Sequence, residues 1–246
     1  MANNSVAKKV KVCQVSISLG RGGAERFAAL LSTMLQQLEY EVTTVILTNE
    51  VNYSYSGRLL NLGVDKEKSD TIFSRLARFK KLRKFLKKEE FDVIIDHRPK
   101  NQWARELFYL DYIYKNQKLL YVVHNYMLDN YMTDREWMAK RIVKRVKGFV
   151  GVSKEISEEL RRRYPEIHIR TIYNPSQNLA IEKPEEWKWG SDYVLFLGRL
   201  NSPAKNLPHF IEAYKLSGLY EKKIPLLLVG AGEAELLKEQ ITSLGL

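Results

Sequence analysis

A chain of 246 residues, 45% hydrophobic and 28% charged, holds enough apolar material for one large domain or two modest ones, which excludes a disordered chain. Lysine and arginine (40) outnumber aspartate and glutamate (29), and the net charge of +11 points to an anionic partner: nucleic acid, acidic lipid or a phosphate-bearing substrate. The single cysteine, Cys13, excludes an internal disulfide and fits a reducing cytosol, and no apolar run is long enough to span a bilayer.

The first segment, "KVCQVSIS", predicts a strand. Gln14, Ser16 and Ser18 interrupt its apolar residues, so it makes a poor signal-peptide core. The stretch "SLGRGGAERF" follows, with Gly20, Gly22 and Gly23 at the turn into an amphipathic helix over 23–38. A glycine cluster there lets something approach the backbone at a helix N-terminus. Gly20 and Gly22 match the first two glycines of a dinucleotide-binding turn, but Glu25 stands where the third would be, which counts against a hydride-transfer cofactor. From these residues alone, a ligand-free tight turn and a ligand site stay equally open.

"EVTTVILT", "FDVIID", "KLLYVVH", "KGFVGVS" and "IRTIYNP" read as further short strands, with helices over 70–89, 98–115, 134–147 and 154–164 between them. Such alternation predicts a parallel, doubly wound α/β sheet with ligands at the carboxyl ends of its strands. Thr133 with Glu136 predicts a capping box, and Ser153 an N-cap. Residues 174–190 carry two prolines and little periodicity and read as a linker between a domain over 1–173 and a second over 191–246. The second part holds two βα units, fewer strands than a full nucleotide-binding domain uses.

Between the first sheet segments lies "SRLARFKKLRKFLKK", the densest charge feature. Leu76, Phe79, Leu82, Phe85 and Leu86 fall on one helical face, an apolar stripe best read as core. The basic residues, among them Arg78, Lys81, Lys84 and Lys88, are candidates to face an anionic membrane. His97, flanked by Asp96 and Arg98, and His124 both end apolar strands. No serine or aspartate beside His124 forms a hydrolase triad signature. The four histidines are scattered and no D-x-D pair presents carboxylates, so no metal and no cofactor is expected. The charge also suits a nucleic-acid-binding α/β module without catalysis, although no RNA-binding signature is present.

In order along the chain, "RGGAERF", "VVHNYM", "FVGVSKEISEEL", "IYNP", "LFLGRLNSPAKNLPHFIEA" and "LLLVGAGEAELLKEQITSLGL" resemble segments of family-four retaining glycosyltransferases. The resemblance implies a GT-B-like fold: a complete N-terminal Rossmann-like domain on the acceptor side and a partial second one that binds the donor. It implies transfer of a sugar from a nucleotide-diphosphate sugar to a glycan or lipid-linked glycan acceptor. The family's paired-glutamate motif would follow Leu246, so weak donor binding and little turnover are expected of these residues alone.

By the same resemblance Arg199 and Lys205 bind the donor diphosphate. Their chemistry suits it: a planar fork and a mobile point charge on a loop before a helix N-terminus. Gly22 and Gly23 admit donor phosphate and acceptor to the first helix across a cleft. His124 is the expected catalytic residue, in contact with the donor sugar. Glu25 complements the helix dipole or anchors the site, and His97 and Arg98 are candidates to meet the acceptor. Several such enzymes work on lipid carriers, so a cytoplasmic protein peripheral to the membrane is expected.

Overall fold

The computed structural model describes residues 9–176, 189–201 and 205–246. The chain divides into two compact units, Met1–Gln177 and Asn178–Leu246. Most of the expected linker, 177–188, lies outside the described residues.

In the first unit β1 (Lys11–Ser16) leads through the glycine turn into α1 (Gly23–Gln37), then β2 (Glu41–Ile46) and β3 (Arg58–Asn61). Next come α2 (Gly63–Lys68), α3 (Ile72–Glu89), β4 (Val93–Asp96) and α4 (Trp103–Phe108), which runs on as a π-helical turn over Tyr109–Ile113. β5 (Leu119–Val123), α5 (Asp129–Met132), α6 (Glu136–Arg145), β6 (Gly148–Gly151), α7 (Lys154–Arg163) and β7 (Ile169–Thr171) complete it. Among the described residues, seven strands form one sheet in the order β3-β2-β1-β4-β5-β6-β7, every pair parallel. The winding direction reverses between β1 and β4, and loops leaving the carboxyl ends of two such neighbours diverge to open a crevice.

The strands owe their stability to burial on both faces rather than to alternation. Val12, Cys13 and Val15 of β1 and Val42, Val45 and Ile46 of β2 are all buried. The core continues through Leu82 and Leu86 of α3, Tyr109, Leu110 and Ile113 of the π turn, and Met138, Ala139 and Ile142 of α6. The apolar stripe of α3 is therefore core, with Phe79 and Phe85 packed against the same cluster, while Leu76 at its start is left 45% exposed. Ser153 caps α7 as expected, its Oγ accepting from the Ile156 N–H at 3.3 Å.

Two expectations are corrected. The helix placed over 98–115 starts only at Trp103, because residues 98–100 are held by side-chain and loop contacts: the Arg98 N–H donates to Asp96 and the Lys100 N–H to the Asn130 carbonyl at 2.6 Å. Pro99 also keeps Arg98, the residue before it, out of the helical region. The capping box at Thr133 does not form. Thr133 sits at φ 66°, its hydroxyl accepts from the Arg135 N–H at 3.2 Å, and α6 begins at Glu136 with no side-chain cap. β3 and α2 were not foreseen: four residues, "RLLN", pair with β2, and Asn61 Oδ1 then accepts from the Gly63 N–H at 2.9 Å to open the short helix.

In the second unit, β8 (Val194–Leu197), α8 (Leu207–Leu216), β9 (Leu226–Val229) and α9 (Glu235–Ser243) form two βα units, with β8 and β9 parallel. Their core is Leu207, Ile211 and Leu237, joined by Phe196, Phe210 and Leu228. The turns after the two strands touch: a Cβ on Gly230 would sit 1.6 Å from the Gly198 carbonyl oxygen, so only glycine fits there.

Candidate functional site

The carboxyl ends of β1, β4 and β5 bring together the glycine turn, His97 and His124. Gly22 is the N-cap of α1 at φ 128°, ψ 168°, a backbone region that essentially only glycine occupies. Its N–H donates to the Tyr53 hydroxyl at 3.3 Å, which ties the turn to the segment between β2 and β3. A Cβ at Gly22 would lie 2.6 Å from Oε2 of Glu25, so the glutamate folds back over the turn from the first turn of α1. The Tyr131 hydroxyl of α5 is pushed up by burial first and then by the charge of Glu25. A Cβ at Gly23 would meet nothing within 4 Å. The first glycine thus answers a conformational demand and the second leaves room beside the helix N-terminus.

His97 Nδ1 lies 3.2 Å from His124 Nε2, and His97 Nε2 lies 3.1 Å from Gln14 Oε1. Phe27 of α1 packs against both rings, at centroid distances of 5.6 and 5.3 Å. Burial disfavours the charged form of both imidazoles. Burial, followed by the neighbouring His124, holds His97 well below the usual histidine value, and burial with the nearby charge of Lys100 pushes His124 down to about 3. Gln14 was noted in the sequence only as an interruption of an apolar strand; a polar residue buried in the middle of such a strand was the signal that it had a partner.

Behind the pair lies an ion cluster that the sequence did not reveal. Arg98 and Asp96 form two parallel hydrogen bonds, Nε to Oδ1 at 3.1 Å and Nη2 to Oδ2 at 2.7 Å, and Nη2 also reaches Glu106 at 3.2 Å. The Tyr114 hydroxyl donates to Asp96 at 3.2 Å. Arg98, Asp96 and Glu106 are each at most 1% exposed. Burial opposes the arginine's charge, but Asp96 and Glu106 outweigh it and hold Arg98 well above its usual value. Arg98, a candidate to meet the acceptor, therefore has its guanidinium turned inward and occupied. Lys100 is buried beside it, donates to the Arg98 carbonyl at 2.6 Å, lies 4.0 Å from the Tyr121 ring centroid, and is pushed down to about 8 chiefly by burial.

Arg199 and Lys205 are both exposed on the loop after β8, where α8 begins. The four basic candidates of α3 divide into two kinds. Arg78 is paired with Asp70 and donates to the Ser69 carbonyl at 2.7 Å, and Lys81 pairs with Asp65 at 2.6 Å. Lys84 and Lys88 are exposed and line one shallow groove with Lys80, Arg83 and Lys87. Among the described residues no three His, Cys, Asp or Glu side chains converge as a metal site would need, and no helix is long and apolar enough to cross a membrane.

The family model for Glycosyltransferase Family 4 matches residues 21–175. The chain shares its fold with a glycosyltransferase from Rickettsia africae ESF-5, at TM-score 0.61 and 18% identity, covering 97% of this chain and 66% of that one. Anabaena Alr3699/HepE, crystallised with UDP-glucose, aligns at TM-score 0.65 and 16% identity, covering 96% and 66%. A putative UDP-N-acetylglucosamine 2-epimerase from Listeria monocytogenes aligns at 0.58 and 14%, with the same coverage, so the fold is not tied to one reaction. The chain spans about two thirds of the length of these structures. No curated protein matches it by sequence. The α/β architecture, with its seven-stranded parallel sheet, is that of the GT-B glycosyltransferases. From the match over most of its length, this chain belongs to Glycosyltransferase Family 4.

Proposed function

We propose that the protein transfers a sugar from a nucleotide-diphosphate sugar to an acceptor hydroxyl with retention of configuration at the anomeric carbon. The observation that carries this reading is the meeting of the Gly22–Gly23 turn with the His97–His124 pair at the carboxyl ends of β1, β4 and β5, inside the family match. The bond from the anomeric carbon to the diphosphate breaks, and the acceptor oxygen bonds to that carbon as its hydroxyl proton leaves. Negative charge grows on the departing diphosphate, and fixed cations stabilise it. Arg199 and Lys205 take that role, the arginine by its planar fork and the lysine as a mobile charge. Gly23 leaves the N-terminus of α1 open to an anionic group. His124, as the catalytic residue, contacts the donor sugar; Glu25 props the turn, and His97 lies behind His124.

A glycan or lipid-linked glycan is the proposed acceptor, with the exposed lysines of α3 held against anionic head groups. HepE, of similar fold, binds UDP-glucose, which supports a uridine nucleotide as the first donor to try. A panel of nucleotide-diphosphate sugars, scored by calorimetry for binding and by NMR for the anomer formed, tests the reading. Arg199→Ala and Lys205→Ala should each weaken donor binding about tenfold, as loss of a charge-assisted hydrogen bond does. Absence of binding to every nucleotide sugar, or binding indifferent to both substitutions, would refute it.

A further inference from the structure

We propose that Gln14, acting through His97, fixes the tautomer of His124 so that its Nδ1 is a bare hydrogen-bond acceptor reserved for a hydroxyl group of the sugar. The proposal rests on the donor reading above for the identity of the ligand, and on two contacts and one unpartnered atom for the tautomer.

The chain of contacts starts at an atom that can only accept. Gln14 Oε1 is a carbonyl oxygen, so His97 Nε2 at 3.1 Å must carry the hydrogen. A neutral imidazole has a single N–H, so His97 Nδ1 is then an acceptor. It faces His124 Nε2 at 3.2 Å, which must therefore be the protonated nitrogen of that ring. What remains is His124 Nδ1, a lone pair that is buried and has no hydrogen-bond partner. A buried polar atom left unmatched costs stability and calls for an explanation, and a ligand hydroxyl supplies one here.

The surroundings hold the rings in place. Phe27 packs against both, Tyr131 stands 6.1 Å from His124, and Gln14 lies on β1 between Thr44 of β2 and Ile95 of β4 in the sheet register. Gln14 and His97 are thus positioning residues, since neither reaches the ligand. The consequence is chemical selection. An unprotonated Nδ1 accepts from an O–H and repels a carboxylate or phosphate oxygen, so the site takes a neutral, hydroxyl-bearing part of the sugar.

The tautomers can be read directly. The protein has four histidines, so two-bond 1H–15N spectra of the histidine-labelled chain are assignable by single substitutions. At pH 7 His97 and His124 should both show the Nε2–H form. A His124 ring protonated at Nδ1, the form that results if the Gln14 amide presents its NH2 to His97 instead, would overturn the proposal. Gln14→Met, of similar size but with no strong acceptor, should give a mixture of tautomers at His124, and Gln14→Glu, which restores an oxygen, should return the single form. A folded Gln14→Met protein with an unchanged His124 signal would also overturn it. UDP-glucose should then shift the His124 Nδ1 resonance upfield, and UDP alone should not. Binding of UDP-glucose without that shift overturns the hydroxyl role. Failure of UDP-glucose to bind counts against the donor reading and the hydroxyl assignment that rests on it, while the tautomer result stands on the ligand-free spectra.

Discussion

The guanidinium of Arg98 lies 3.5 Å from the ring centroid of Tyr109, and its edges are taken by Asp96 and Glu106. The plane, the fork and the ring form one buried unit directly behind His97. Breaking a buried ion pair from one side leaves charge without a partner, at about 3–5 kcal/mol. Arg98→Met should therefore lower unfolding stability by that amount in urea titrations. A change under 1 kcal/mol would mean the carboxylates find other partners, Lys100 foremost.

The histidine pair makes stability depend on pH. In the unfolded chain a histidine binds a proton near its usual value of about 6.5; in the folded protein His124 does so only near 3, and His97 is also held low. Between those values the unfolded state binds more protons, so stability falls as pH falls. The expected loss from His124 is about 1.4 kcal/mol per pH unit between pH 6 and 4.5. Urea midpoints across that range check it, and His124→Asn should flatten the slope by one proton's worth.

The two glycines of the turn should behave in opposite ways. Gly22→Ala forces an alanine to φ 128°, ψ 168° and presses a methyl on Glu25, which should cost about 1–3 kcal/mol. Gly23→Ala has open space at its Cβ and helical backbone, so it should stabilise α1 by up to about 1 kcal/mol. The methyl would occupy the approach to the helix N-terminus, so donor binding should weaken. Thermal melts and calorimetry on both variants separate the conformational role from the binding role.

On α3, removing Lys84 and Lys88 together should weaken binding to phosphatidylserine vesicles by about 2 kcal/mol, roughly thirtyfold, as two cations near an anionic surface predict. Arg78→Ala and Lys81→Ala should do much less, because Asp70 and Asp65 already hold those charges. Equal losses from both pairs, in vesicle sedimentation at fixed salt, would count against a membrane-facing role for this groove.

Much of the first unit was legible. β1, β2 and β5 are short runs rich in β-branched and apolar residues with turn residues after them, and α1 and α7 have their starts written in Gly22–Gly23 and Ser153. What escaped depended on partners distant in sequence. β3 is four residues of mixed polarity that become a strand only because β2 offers an open edge. Residues 98–102 stay out of the helix because Arg98 is drawn to Asp96 and Lys100 to Asn130. His97 and His124 each stood out as strand-end histidines, 27 positions apart, and their contact is a product of the parallel β4–β5 pairing. Gln14 showed only as a blemish in an apolar run; its role became visible when β1 and β4 were set side by side.

The π-helical turn has a consequence for how this region tolerates change. The Tyr114 N–H donates five residues back, to the Tyr109 carbonyl at 2.7 Å, so the turn holds one residue more than an α-turn would. That surplus advances every later side chain by about 100° around the axis. It is this phase that aims the Tyr114 hydroxyl at Asp96, while Asp111 and Tyr112, inside the turn, meet Arg141 at 2.9 Å and Arg83. Deleting one residue from 109–113 would yield a more regular helix and rotate Tyr114 away from Asp96. Length here is therefore as constrained as residue identity, because the hydroxyl that supports Asp96 depends on it.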